Sequence, residues 1–167
     1  MKLESLARTN GFETKGAHSA IFDAELTLKV LGLIKIKQPH TWDSFLKTSN
    51  KSDTETIIKK DKIITLNEYF YGKSRLYLCT PLHPKYCTHP IYQWGQAVDL
   101  RFDVEPLLKM SISDLKLQMK KSPKFLRTIR SNKAPIIIDK MYGMKVEPYS
   151  VMDISLINKR AELVNSN

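Results

Sequence analysis

Pro39 most limits how this chain can fold. A proline has no backbone N–H and disfavours helix in the residue before it, so a helix arriving at residue 38 must end there. Two helices precede it. Residues 3–10 read as a short helix with Leu3, Leu6 and Ala7 on one face, and Gly11 follows as a residue able to take positive φ. Residues 19–37 read as a longer one, with Ile21, Ala24, Leu28 and Leu31 at helical spacing and Ile34 continuing the stripe. Two helices are too little to fold alone, because helical stability comes mainly from packing an apolar face. This pair needs a surface to lie against.

Beyond Pro39 the texture changes. Residues 42–46 suggest a short amphipathic turn, and residues 48–61 a polar loop or weak helix. Short β-like runs follow at 63–66, 76–80 and 91–100. In the last, Tyr92, Trp94, Val98 and Leu100 alternate with polar or small residues, as in a half-buried strand. Pro81, Pro84, Pro90 and Gly95 punctuate these runs. Ser113 or Asp114 is placed to cap a helix through Lys121. Residues 125–131 suit either a helix start or a strand, residues 136–138 a buried strand, and residues 153–164 a helix. The pattern is α+β, with a division near residue 39.

Size and charge narrow the partners. At 167 residues, with 42% apolar and 26% charged residues, the chain can bury a core of ordinary single-domain size. Its longest apolar stretch, residues 26–36, is interrupted by Lys29 and Lys35, so no membrane span is expected. The first five residues hold no apolar signal core, which points to the cytoplasm. Lys plus Arg is 27 against 17 Asp plus Glu, a formal charge of +10 that favours polyanions, nucleic acid first. The 21 lysines against 6 arginines, with 15 isoleucines, also fit an AT-rich coding bias that raises charge without binding anything.

Four constellations could carry chemistry. Lys116, Lys120, Lys121, Lys124, Arg127, Arg130 and Lys133 form a run free of acidic residues, suited to a phosphate backbone, and Lys73 and Arg75 are further candidate contacts. Tyr69, Phe70, Tyr71 and Tyr77 offer stacking platforms for unpaired bases. The bland alternative is a solvated face over core aromatics. Cys79, His83, Cys87 and His89 could hold zinc, although their spacing is not a common structural-zinc pattern and two reduced cysteines explain them better. Asp53-Thr54-Glu55 and Asp103-Val104-Glu105 have the D-x-E form of a metal-binding strand, one in a polar loop and one before Pro106. Finally, His18 precedes Asp23 by five residues at a helix start. Phosphodiester hydrolysis needs carboxylates to hold two divalent ions and a base near neutral pKa, and this pair supplies one of each.

The whole chain resembles the bacterial exonuclease I family, 3′→5′ exodeoxyribonucleases of single-stranded DNA. The resemblance starts at Lys2-Leu3-Glu4 and Asn10-Gly11 and passes through Ala17-His18, Asp23 and Gln38-Pro39. It resumes at Gly72, His83-Pro84, Val98-Asp99-Leu100, Pro106-Leu107-Leu108, Asn132-Lys133 and Pro135. It implies that residues 1–38 are the last two helices of an RNase H-like exonuclease domain, and residues 39–167 an SH3-like domain truncated at its C-terminal end. It tips residues 125–131 toward strand. It also implies His18 as general base and Asp23 as a Mg²⁺ ligand. Lys73, Arg75, Lys124, Arg127, Arg130 and Lys133 are the candidate DNA contacts. The expected partners are single-stranded DNA and the acidic tail of single-strand DNA-binding protein, with a monomeric intact enzyme. The family site uses four carboxylates and one His, of which only Asp23 and His18 have counterparts here. The expectation is therefore a fragment of a split, decayed or truncated gene. It would lack the nuclease core and the helical C-terminal domain, and be inactive alone. The sheet that would cover the Ile21/Ala24/Leu28/Leu31 face is missing from it too. The alternative is a non-catalytic binding module.

Overall fold

The computed structural model describes residues 2–15, 19–83, 89 and 91–166. It divides into two compact units, Met1–Asp43 and Ser44–Asn167.

The first unit is helical. Helix α1 spans Leu3–Thr9. After it, Gly11 takes φ +77°, and the N–H groups of Gly11 and Phe12 bond back to Arg8 and Ala7 at 3.1 and 3.0 Å. That paired return is the usual helix stop built on a residue without Cβ. Helix α2 spans Ala20–Lys37, and the Ser19 hydroxyl accepts the Phe22 N–H at its start. Gln38 ends it. Pro39 then opens helix α3, Pro39–Lys47, at the first helical position, where a missing N–H costs nothing. The core is small: Ala7, Leu26 and Val30, with Leu3, Leu6, Phe12, Phe22 and Ile34 around them.

α2 carries two apolar stripes. The one read from the sequence as its packing face, through Ile21 and Leu28, is 77% and 69% exposed at those residues. α1 instead covers the stripe through Phe22, Leu26, Val30 and Ile34, which recurs at strict four-residue spacing. The Ile21 stripe is the one expected to need a sheet for cover.

The second unit is α+β. Helix α4, Lys51–Lys60, is capped by Asn50 and occupies the segment read as loop or weak helix. Strands β1 (Ile64–Phe70) and β2 (Lys73–Pro81) form a hairpin. Its two-residue loop, Tyr71-Gly72, has φ of +49° and +77°, the turn whose twist matches the strands. Strand β3 is Gly95–Asp99, helix α5 is Val104–Leu108, helix α6 is Ile112–Lys120, and strand β4 is Leu126–Ile129. A 3₁₀ turn, Ser131–Lys133, leads to strand β5, Ile136–Ile138. Helices α7 (Lys140–Gly143) and α8 (Ile154–Asn165) complete the unit. The five strands form one antiparallel sheet in the order β4-β3-β2-β1-β5.

Both sheet faces are covered, and the two-residue period of β2 sorts its side chains between them. Tyr77 and Cys79 join Ile58, Ile64, Leu66, Ala97, Ile129 and Ile137 on one side. Leu78 joins Leu100, Tyr149, Ile157 and Ala161 on the other. Gly143 is needed for close approach: a Cβ there would lie 2.6 Å from Thr65 Oγ1, and its N–H donates to that hydroxyl. Three local readings change. The strand expected over 91–100 is confined to Gly95–Asp99, with Tyr92 and Trp94 in the turn before it. The cap of α6 is Ser111 rather than Ser113 or Asp114, and α5 was not foreseen.

Candidate nucleic-acid interface

In the first unit, Asp23 lies in the first turn of α2, and its backbone N–H donates to Ser19 O at 2.9 Å. His18 lies outside the described residues. Among the described residues no three His, Cys, Asp or Glu side chains come together in a way that could hold a metal ion. The D-x-E segments have other work. Asp53 accepts from the Asn50 side chain at the start of α4, and Asp103 caps α5 while Glu105 pairs with Lys109 at 2.7 Å. Of the four proposed zinc ligands, Cys87 lies outside the described residues. Cys79 is fully buried, and burial pushes its thiol pKa well up. His89 uses Nδ1 to accept the N–H groups of Ile91 and Tyr92.

The second unit is organised around Asp99, fully buried at the end of β3. Its carboxylate accepts the Tyr149 hydroxyl at 2.6 Å and Arg101 Nε at 2.8 Å, with Arg127 at 3.5 Å. Arg127 also donates to Glu68 at 3.1 Å and lies 3.6 Å over the Tyr77 ring. Burial works against the Arg101 charge, but the bond and charge of Asp99 outweigh it and raise its pKa. Burial, then the Asp99 charge, raise Tyr149. Burial raises Glu68 too, with Arg127 opposing. A buried carboxylate held this way is costly to strip of partners. The sequence offered one signal of the network: a charged residue inside the apolar run Val98-Asp99-Leu100.

This corrects two expectations. Arg127, read as a phosphate contact, turns inward with its side chain only 11% exposed, because two carboxylates and a ring compete for it. Tyr77, read as a stacking platform, is buried beneath it. The other candidate cations are exposed, in two places. Lys73 and Arg75 stand on the hairpin end of β2, beyond its pairing with β3, beside the exposed rings of Tyr69, Phe70 and Tyr71. Lys124 precedes β4, while Arg130 and Lys133 follow it, with the Arg130 guanidinium 5.4 Å from the Trp94 ring.

A cleft of about 480 Å³ was not foreseen. Its floor includes Ile57, Ile64 and Ile137, and its rim carries Lys47, Lys60, Lys62 and Lys140 against Asp61, Asp139 and Glu162. No described helix is long and apolar enough to cross a membrane.

No protein-family model matches the chain. Two curated relatives do, both exodeoxyribonuclease I. The protein from Buchnera aphidicola is 30% identical over 119 residues, covering 65% of this chain and 27% of the relative. That from Haemophilus influenzae is 30% identical over 149 residues, covering 81% and 31%. Among solved structures, exonuclease I from Methylocaldum szegediense superposes over all of this chain and 38% of its own, with TM-score 0.72 and 21% identity. Exonuclease I of E. coli, solved with a dA16 oligonucleotide, covers 99% and 38%, with TM-score 0.65 and 19% identity. Sequence and fold agree that this chain is a relative of exodeoxyribonuclease I, matching between 27% and 38% of the length of those proteins.

Proposed function

We propose that this chain is an exonuclease I-like protein that holds single-stranded DNA without hydrolysing it by itself. Residues 1–38 correspond on this reading to the closing helices of an RNase H-like exonuclease domain, and residues 39–167 to an SH3-like domain. The observation that carries the proposal is the likeness over 99% of the chain to an exonuclease I solved with a single-stranded oligonucleotide, joined to sequence relatives of the same name. Exposed Lys73, Arg75, Lys124, Arg130 and Lys133 supply the phosphate contacts, and Arg127 holds β1 and β4 together behind them. The ancestral activity is Mg²⁺-dependent 3′→5′ release of mononucleotides, with His18 as base and Asp23 as one metal ligand. On this reading binding is the step assigned to this chain.

Each phosphate neutralised on a single strand contributes roughly 0.7 to the slope of log affinity against log salt. Oligo-dT binding followed by fluorescence anisotropy should weaken steeply with salt. Replacing Lys124, Arg130 and Lys133 together by Glu should flatten that slope by about two units and weaken binding at least tenfold. An unchanged slope would remove those residues from the interface. No binding at low salt would remove the proposal.

A specific observation favours a second reading as well. The lysine-rimmed, isoleucine-floored cleft suits an acidic peptide with apolar side chains. One solved exonuclease I relative is in complex with the C-terminal peptide of SSB. Such a peptide should bind and weaken on Lys60→Glu, while oligo-dT affinity stays unchanged. A peptide affinity indifferent to that substitution would place it elsewhere.

A further inference from the structure

We propose that Tyr92 and Trp94 form a preorganised platform on which an unpaired nucleobase stacks; this rests on the single-strand reading above. Neither residue was a candidate from the sequence, where both read as strand positions. In the structure they stand in the turn before β3. The turn is closed by Gln93 N–H to His89 O at 2.7 Å and His89 N–H to Trp94 O at 2.9 Å. Gln93 takes φ +51°. The two rings stack with centres 4.3 Å apart and planes 18° from parallel.

Three contacts hold Trp94 in place. Its Nε1–H donates to Asn132 at 2.7 Å, across 38 residues of sequence. Arg130 lies against its ring at 5.4 Å. Gly95 pairs with Ile129, tying the turn to β4. Tyr92 is different: 55% of it is exposed. The distances place His89 relative to the pair. A ring on the outer face of Tyr92 would lie about twice 4.3 Å from Trp94, but His89 is 5.3 Å from Trp94 and 5.2 Å from Tyr92. His89 therefore sits beside the pair and not upon it.

An exposed aromatic face, a fixed backing ring and adjacent cations are the components of a single-strand stacking site. Arg130 and Lys133 follow β4 on the same edge and place positive charge where the phosphates of a stacked nucleotide would run. Stacking accepts any base, because each presents a π face. A site of this kind therefore grips unpaired strands without reading sequence. Duplex DNA hides its base faces and is excluded.

Trp42 and Trp94 are the only tryptophans. Trp42→Phe thus leaves emission that reports Trp94 alone. Titrating this full-length variant with a dT oligonucleotide should quench that emission, and an abasic oligonucleotide of equal length should not. In the otherwise unchanged protein, Tyr92→Ala should weaken dT binding roughly five- to hundredfold and Tyr92→Trp should restore it, with abasic affinity unaltered. Tyr92 is exposed and outside the core, so its replacement should leave the fold intact. If dT binds by anisotropy while Trp94 stays silent and Tyr92→Ala binds as before, the platform is refuted and the single-strand reading stands. If dT does not bind at all, both fall.

Discussion

The two units spend their apolar residues differently. In Ser44–Asn167, a five-stranded sheet is covered on both faces and Leu78, Leu100 and Ile129 lose all contact with water. In Met1–Asp43, α2 is apolar on more than one side, and α1 covers only the Leu26/Val30 stripe. Ile21, Leu28 and Ile36 stand 69–80% exposed. Full burial of such a side chain is worth roughly 1.5–3 kcal/mol, so these three positions on α2 leave several kcal/mol unused. Stability follows the number of faces an element can cover, not its apolar content.

The largest effect should come from the second unit. Asp99→Ala leaves Arg101 and Arg127 without their shared buried carboxylate and should cost about 3–5 kcal/mol in chemical denaturation. A loss below 1 kcal/mol would mean the network is not what joins β3, β4 and Tyr149. Next comes a contrast within α2. Leu26→Ala should destabilise the first unit by about 2–3 kcal/mol, seen as faster amide exchange in α1 and α2. Leu28→Ala, two residues away on the open stripe, should stay within about 0.5 kcal/mol. Equal effects would show that both stripes are covered in solution and would erase the difference between the units. Ser19→Ala removes the cap of α2 and should cost about 1 kcal/mol, again confined to the first unit.

The smallest effect is a pH slope. Burial raises the Glu68 carboxyl above its ordinary 4.5, against the pull of Arg127. The folded state then binds the proton more tightly than the unfolded state. The contribution is fully present below 4.5 and is lost as pH rises through the raised value. The stability of the native protein minus that of Glu68→Gln should therefore fall as pH climbs from below 4.5. A rising difference would mean that Arg127 dominates, and would tie β1 to β4 more strongly than the burial of Glu68 allows.

How much of this was legible in the sequence depends on how local the cause was. Gly11 and Pro39 act on neighbours in the chain, and the C-terminal ends of α1 and α2 followed from them. Strands β4 and β5 were visible as short apolar runs once the family resemblance settled residues 125–131. The choice between the two stripes of α2 was not legible, because both have helical spacing and only α1 decides which is buried. Arg127 was misread because nothing nearby in sequence announces Glu68, 59 residues away, or Asp99. Tyr92 and Trp94 were taken for strand because alternation also describes a turn that sends residues i and i+2 to one side. Asp23 was legible as a helix-start carboxylate.

One measurement bears most directly on the assignment of binding without hydrolysis. The purified chain is mixed with a 5′-labelled dT oligonucleotide and Mg²⁺ at low salt. Anisotropy and strand length are then followed in the same sample. Binding alone predicts a saturable, salt-sensitive rise in anisotropy with the oligonucleotide intact. Progressive shortening that disappears in His18→Ala would contradict it, as would the absence of any rise.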